Sequence, residues 1–488
     1  MKFGYRVWER IAGSRRLLIV VLGMLCWGDG HAAQEGAGSP TLQIIAAPDT
    51  VLAPPGMESR RQEQLETRDS FGIFHDFQFS DLIERSGIRF LHRCTDDSGK
   101  YWKPVHYDHG NGVAAADVDG DGLLDLYFTN QIGSNELYRN LGNGRFANIT
   151  EKAGVGLAER ISVAASFADI DNDGDPDLFV TSVRYGNVLF ENQGKGKFKD
   201  VTEQSGLAYV GHSSAAVFFD YDRDGLLDLF LAIVGVYTTD DIGRGGYYIG
   251  VDDAFGGHIR PERTERSRIY RNVGNRRFED VSEKLGLQDK GWSGDAAPID
   301  ANDDGWPDLY VLNMQGNDEY YENVEGKRFV KKSRELFPRT PWGSMGIQVF
   351  DFNNDGRLDL FLTDMHSDMS EHIPTLFEKY KSAMRWTEAR LVVPKEQSIY
   401  GNAFYINEGK GRFREVSDEI RAENYWPWGL SVGDLNADGY DDAFIASSMN
   451  LPFRYGVNTL LLNNKGERFL DSEFILGVEP RARLSTPF

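Results

Sequence analysis

Apolar residues in this chain come in short runs separated by polar, glycine-rich stretches. Runs such as Leu126-Tyr127-Phe128, Leu178-Phe179-Val180 and Leu229-Phe230-Leu231 are aromatic and branched, as buried strands require. Small residues precede them at Ala114-Ala115-Ala116, Ala164-Ala165-Ser166 and Ser213-Ser214-Ala215, which predicts a first, closely packed strand. A third strand is expected at Asn135-Glu136-Leu137-Tyr138-Arg139-Asn140. A glycine turn follows at Gly142-Asn143-Gly144, and a fourth strand from Phe146 to Thr150. Four short antiparallel strands per unit describe one blade of a propeller.

The unit repeats. The pattern D-x-[DN]-x-D-G-x-x-D occurs six times, beginning at Asp117, Asp169, Asp220, Asp300, Asp351 and Asp434, with start-to-start spacings of 52, 51, 80, 51 and 83 residues. A period near 51 with two long insertions defines the array. An outer-strand signature, Phe-x-[DN]-[VI]-[ST], recurs with variation at Phe146, Phe198, Phe278, Phe413 and Phe469. It is decayed at Phe329, and it precedes the first loop at Phe79-Ser80-Asp81-Leu82-Ile83. Seven outer strands with six loops predict an all-β, seven-bladed β-propeller with strands from both ends sharing a blade, and a last blade that is incomplete or truncated.

The loops have the chemistry of a calcium site. Oxygen-bearing side chains at positions 1, 3, 5 and 9, with a glycine bend at position 6, suit a hard cation that takes several oxygen ligands. The candidate ligands are Asp117, Asp119, Asp121 and Asp125; Asp169, Asp171, Asp173 and Asp177; Asp220, Asp222, Asp224 and Asp228; Asp300, Asn302, Asp304 and Asp308; Asp351, Asn353, Asp355 and Asp359; and Asp434, Asn436, Asp438 and Asp442. Position 12, a bidentate Glu in an EF-hand, is Phe128, Val180, Leu231, Val311, Leu362 or Ile445, so the loop joins two strands and is no EF-hand. Carboxylates gathered this closely repel unless a cation offsets them. About six Ca2+ sites are expected.

These units resemble FG-GAP/VCBS repeats such as those of integrin α propellers. More closely, Asn187-Val188-Leu189-Phe190-Glu191-Asn192 through Phe198-Lys199-Asp200-Val201-Thr202 resembles the ASPIC/UnbV-associated, cartilage acidic protein-like family. The resemblance covers about residues 75 to 478. It implies a propeller with structural Ca2+ and a role in extracellular recognition, and no catalytic mechanism. The further calcium loop and the ASPIC/UnbV domain of that family are not present in this sequence, so their properties are not carried over.

Recognition is expected opposite the loops. In a four-stranded blade the loop lies between strands one and two, whereas both insertions, at about 237–265 and 365–398, follow a second strand and emerge on the other face. The first holds Tyr247, Tyr248, Phe255 and His258; the second opens a predicted helix at Pro374 with Leu376, Phe377, Tyr380 and Met384 along one stripe. Eight residues before each loop stand His109, Ile161, His212, Trp292, Gly343 and Trp426, with Trp342 and Trp428 nearby. They are expected to ring the mouth of the central channel. His109, His212, Trp292, Trp342, Trp426 and Trp428 therefore form either a ligand-binding ring or a plug.

Composition sharpens this picture. The 488 residues carry 53 basic and 75 acidic side chains, a net −22, which disfavours nucleic acid and anionic membranes as partners. Residues 1–33 read as a secretory signal peptide. Basic Lys2, Arg6, Arg10, Arg15 and Arg16 precede an apolar run from Leu17 to Leu22 that continues past Gly23 to Trp27, too short to span a bilayer. Residues 34–70 are expected as a flexible linker and 71–488 as the propeller, secreted or periplasmic and without a membrane span. Two cysteines exclude a disulfide scaffold, and only Cys94 remains after cleavage. No nucleophile elbow, phosphate-binding glycine loop or H-E-x-x-H is present. The expected function is recognition of an extracellular or periplasmic protein or glycan; the alternative is a carbohydrate- or phosphoester-active propeller working through the His/Trp mouth.

Overall fold

The computed structural model describes residues 57–93, 95, 112–243, 246–251, 261–314, 316–365, 397–399, 401–424, 427–447 and 457–480. The proposed signal peptide, Cys94, His109, Trp426, and the helix expected at Pro374 lie outside the described residues.

Six sheets of four antiparallel strands follow one another along the chain. The first comprises Val113–Ala116, Asp125–Phe128, Glu136–Asn140 and Phe146–Asn148 in sequential order. The second is Ser162–Ala168, Asp177–Ser182, Val188–Asn192 and Phe198–Asp200, and the fourth is Ser293–Ile299, Asp308–Asn313, Glu319–Val324 and Arg328–Lys331. The third and fifth place their insertions between strands two and three, at Asp228–Ile233 to Arg268–Asn272 and at Asp359–Asp364 to Ala403–Asn407. The sixth runs from Pro427–Gly433 to Phe469–Asp471. Each innermost strand is pleated against the second, as in Ala297↔Tyr310 and Ile299↔Asp308.

The expected count of seven blades is corrected to six. A blade needs the hairpin made by its own loop, and there are six loops. The seventh outer-strand signature, at Phe79, belongs to no sheet: the Phe79 amide donates to the Leu476 carbonyl, 2.8 Å away, so this segment packs on the last blade without founding another.

The core lies between blades. Second strands are buried along their whole length in blades two to five, because a neighbour covers each face. Between blades three and four, Phe219, Phe230, Ile269 and Leu285 interlock with Leu309, Val311, Tyr321 and Phe329. After blades one and two the chain makes one helical turn and leaves through a glycine. At Gly206 φ is +82°, and a Cβ would stand 2.6 Å from the Phe278 carbonyl of the next blade, so only glycine permits that approach. Within the stretch expected as a linker, Met57–Thr67 forms a helix, and its buried Arg60 pairs with Glu473 at 2.6 Å. No helix among the described residues is long and apolar enough to cross a membrane.

Candidate metal loops and channel mouth

Each loop is built by the same hydrogen bonds. The first Asp accepts the amides of positions 5 and 6 on its two oxygens: Asp121 N at 3.1 Å and Gly122 N at 2.7 Å for Asp117. Asp169, Asp220, Asp300, Asp351 and Asp434 repeat both bonds. The position 5 carboxylate accepts the amide of position 7 in all six loops. Positions 4 and 6 have positive φ, for example Arg223 at 59° and Gly225 at 87°, which folds the carboxylates inward. In loop one the amide of Gly122, foremost, keeps the Asp117 carboxyl below the usual carboxylate range.

The ninth Asp closes the loop onto the sheet. Its Oδ2 accepts the amide of position 2, and its Oδ1 the amide of an Asn that ends the third strand. For Asp308 these donors are Ala301 and Asn323, at 3.1 and 2.7 Å. Asn140, Asn192, Asn272, Asn407 and Asn463 do the same for the other five. Four of these asparagines also reach the preceding blade, where Asn192, Asn272, Asn323 and Asn463 donate to the carbonyls of Val118, Ile170, Tyr221 and Phe352. The signal for this residue in the sequence is an Asn that recurs at or next to the end of all six third strands. Burial pushes the ninth carboxyls up, to about 7 at Asp177, about 8 at Asp228, about 7 at Asp308 and Asp359, and about 6 at Asp442, and it raises Asp125 too.

In loops one to three, the carboxylates at positions 1, 3 and 9 bring one oxygen each to within 4.8 Å of one another, an arrangement able to hold a metal ion. The third-position Asp in each of these loops has one oxygen, Oδ1 of Asp119, Asp171 and Asp222, that is buried and receives no hydrogen bond. Buried acceptors are rarely left without a donor or a cation, so the orphaned oxygens fit a metal. Loops four to six have Asn at this position, and Asn302, Asn353 and Asn436 donate to Asp304, Asp355 and Asp438 at 3.0 Å.

At the opposite ends of the first strands, three of the four described candidate mouth residues, His212, Trp292 and Trp342, are buried. His212 is held at both ring nitrogens, 2.8 Å from Glu265 Oε2 and 2.7 Å from Thr238 Oγ1, with the Tyr237 ring edge-on at 4.7 Å. Thr238 and Glu265 belong to the first insertion, whose described part includes a short hairpin, Thr238–Ile242 with Tyr248–Gly250, and a 3-10 turn at Pro261–Arg263. Trp292 packs among Ile161, Val183, Val234, Tyr237 and Met314, and its Nε1 is buried with no hydrogen-bond partner. Trp342 is buried and Trp428 half-buried. The second insertion lies outside the described residues except at its ends; at the far end Ser398–Ile399 pairs in parallel with Thr340–Pro341, which precedes the first strand of blade five.

A family model described as an FG-GAP-like repeat matches residues 117–180, 169–231, 300–362 and 391–445, stretches that contain all six loops. Cartilage acidic protein 1 of Mus musculus is 31% identical over 138 residues, 26% of this chain and 21% of that protein. The Homo sapiens protein is 30% identical over 138 residues, 26% of this chain and 20% of that protein. The match thus spans about a fifth of the length of these curated relatives. Among solved structures, an Agrocybe aegerita protein described for recognising non-reducing terminal N-acetylglucosamine gives a TM-score of 0.41 at 15% identity, covering 73% of this chain and 78% of that one. The V. cholerae biofilm matrix protein Bap1 gives 0.35 at 11% identity, covering 78% and 83%.

Proposed function

This chain carries FG-GAP-like repeats and is homologous to cartilage acidic protein 1, and from that premise we propose that it is an exported, calcium-stabilised β-propeller that binds a protein or glycan without catalysis. The observation that carries the calcium part is the set of buried, donorless oxygens at Asp119, Asp171 and Asp222, each beside two further loop carboxylates. Oxygen-only donors in a compact turn favour Ca2+ over Mg2+, which keeps its waters, and affinities of roughly 10⁻⁴ to 10⁻³ M suffice outside a cell. All six loops share one hydrogen-bond frame, so all six are assigned an ion. The ion would bind the carboxylates; the amides of positions 5, 6 and 7 and the third-strand Asn orient them.

Recognition is assigned to the face opposite the loops, where both insertions leave their blades, and export to residues 1–33, with 34–70 leading into a propeller domain that extends over 71–488. Engagement of both His212 ring nitrogens and packing of Trp292 among aliphatic side chains favour a plugged channel over the alternative of an enzyme at its mouth. Chelation tests the calcium assignment. Removing divalent ions is expected to lower the melting temperature by about ten degrees or more, because several carboxylates per loop are then left to repel one another. An unchanged melting curve contradicts it.

A further inference from the structure

Among their four candidate ligand positions the six loops differ only at position 3, and the difference is tied to arginine. Where position 3 is Asn, its amide donates to the position 5 carboxylate, a neutral link within the loop. Where it is Asp, no such proton exists, and a guanidinium supplies the link in loops one and three. Arg139 places Nε 2.5 Å from Asp119 Oδ2 and Nη2 2.9 Å from Asp121 Oδ2. Arg271 places Nε 2.6 Å from Asp222 Oδ2 and Nη2 2.9 Å from Asp224 Oδ2. Both arginines precede the conserved-in-repeat Asn of the third strand, where the other units have Glu191, Glu322, Ile406 and Leu462. Charge follows the same rule: four carboxylates and one guanidinium give −3, as do three carboxylates and an amide.

Loop two lacks an arginine of its own. Arg276, from the next blade, pairs there with Glu191 and stands 3.8 Å from Asp171, so its charge is shared with a fifth carboxylate. In loop five Arg357 meets Asp355 alone among the loop carboxylates. Loops one and three are therefore the two in which a cation bridges positions 3 and 5.

We propose that Arg139 and Arg271 are resident counter-ions that stabilise loops one and three when empty and lower the affinity of these two loops for the metal. This rests on the calcium reading above. The arginines bind Oδ2 and leave Oδ1 of Asp119 and Asp222 bare, so guanidinium and metal ion can be held together. The guanidinium is attracted to four carboxylates in the empty loop and repelled by a divalent ion in the filled one. Because the coupling is reciprocal, its presence must weaken the ion's binding. One unit charge acting at close range on a divalent ion in a water-like dielectric changes a binding constant by about tenfold.

The test is calorimetric titration of the metal-free full chain with CaCl2, comparing wild type with the double variant Arg139→Gln/Arg271→Gln. An exposed-arginine variant, Arg414→Gln, serves as control, since Arg414 pairs with Glu408 and Glu419 away from the loops. Two of the binding steps are expected to tighten about tenfold in the double variant while the ion count stays constant, and its metal-free melting temperature is expected to fall. If the metal-free double variant does not fold, Arg139→Lys/Arg271→Lys, which keeps the charge, is expected to bind as wild type does. Calcium uptake by wild type with no tightening in the Gln variant, or weakening in the Lys variant equal to loss of the loop, overturns the arginine inference alone. No uptake by wild type overturns the calcium reading and this inference with it.

Discussion

At the residue scale the ninth-position aspartates carry an electrostatic cost of burial. Burial raises Asp177, Asp228, Asp308, Asp359 and Asp442 to between about 6 and about 8. A carboxyl raised on folding is neutral in both states below about pH 4. Its contribution is therefore fully present there and is lost as pH rises through the folded value. In the metal-free chain stability should decline between about pH 4 and pH 8, and a bound cation should remove that decline. The drop in melting temperature on chelation is accordingly expected to be larger at about pH 8 than at about pH 5.5. An equal drop at both would mean that these carboxyls do not face the ion. The loops themselves were legible in the sequence because the spacing of their Asp, Asn and Gly residues alone defines the turn. Arg139 and Arg271 were not, since their link to the loop runs across strands and appears only once the third strand is paired beside it.

At the scale of elements, the third strand is the fastening. An Asn at or next to its end gives a backbone amide to its own ninth Asp and, in blades two, three, four and six, a side-chain amide to the blade before. Asn323 does this with Asp308 and Tyr221, at 2.7 and 2.8 Å, and is fully buried. Asn323→Ala leaves the Tyr221 carbonyl and its neighbours without that donor, and is expected to destabilise the chain by about 1 to 3 kcal/mol in urea unfolding. An exposed-site cost of a few tenths would contradict the fastening role. The strand order within each blade was readable from alternating apolar runs and glycine turns. The blade count was not, because the Phe79 signature matches an outer strand in residue type while its amide goes to Leu476 and to no sheet of its own.

At the scale of the whole molecule, one segment near the start of the chain touches both the last and the first blade. Ile73 is buried with Leu460, Leu462, Leu470, Ile475 and Leu476 of the sixth blade region. Further on, the Arg89 amide meets Tyr138 Oη at 3.0 Å and Phe90 stacks on Phe128 at 4.9 Å, both in the first blade. Ile73→Ala is expected to cost about 2 to 4 kcal/mol through the cavity it opens, and hydrogen exchange should rise first in the sixth blade. Uniform loss of protection across all blades would argue against a local bridge. The Ile73 contact was not foreseeable from the sequence, because no periodicity marks residues 71–78 as core.

The net charge of −22 fits the same account, since 21 of the 24 candidate ligands are aspartates and three are asparagines. If the loops are metal sites, most of the chain's excess acidity is ligand charge that an ion offsets. The most direct test is to equilibrate the purified full chain in millimolar calcium and count bound ions by elemental analysis against protein concentration. The account predicts about six per chain, one for each loop frame. Fewer than three would contradict it.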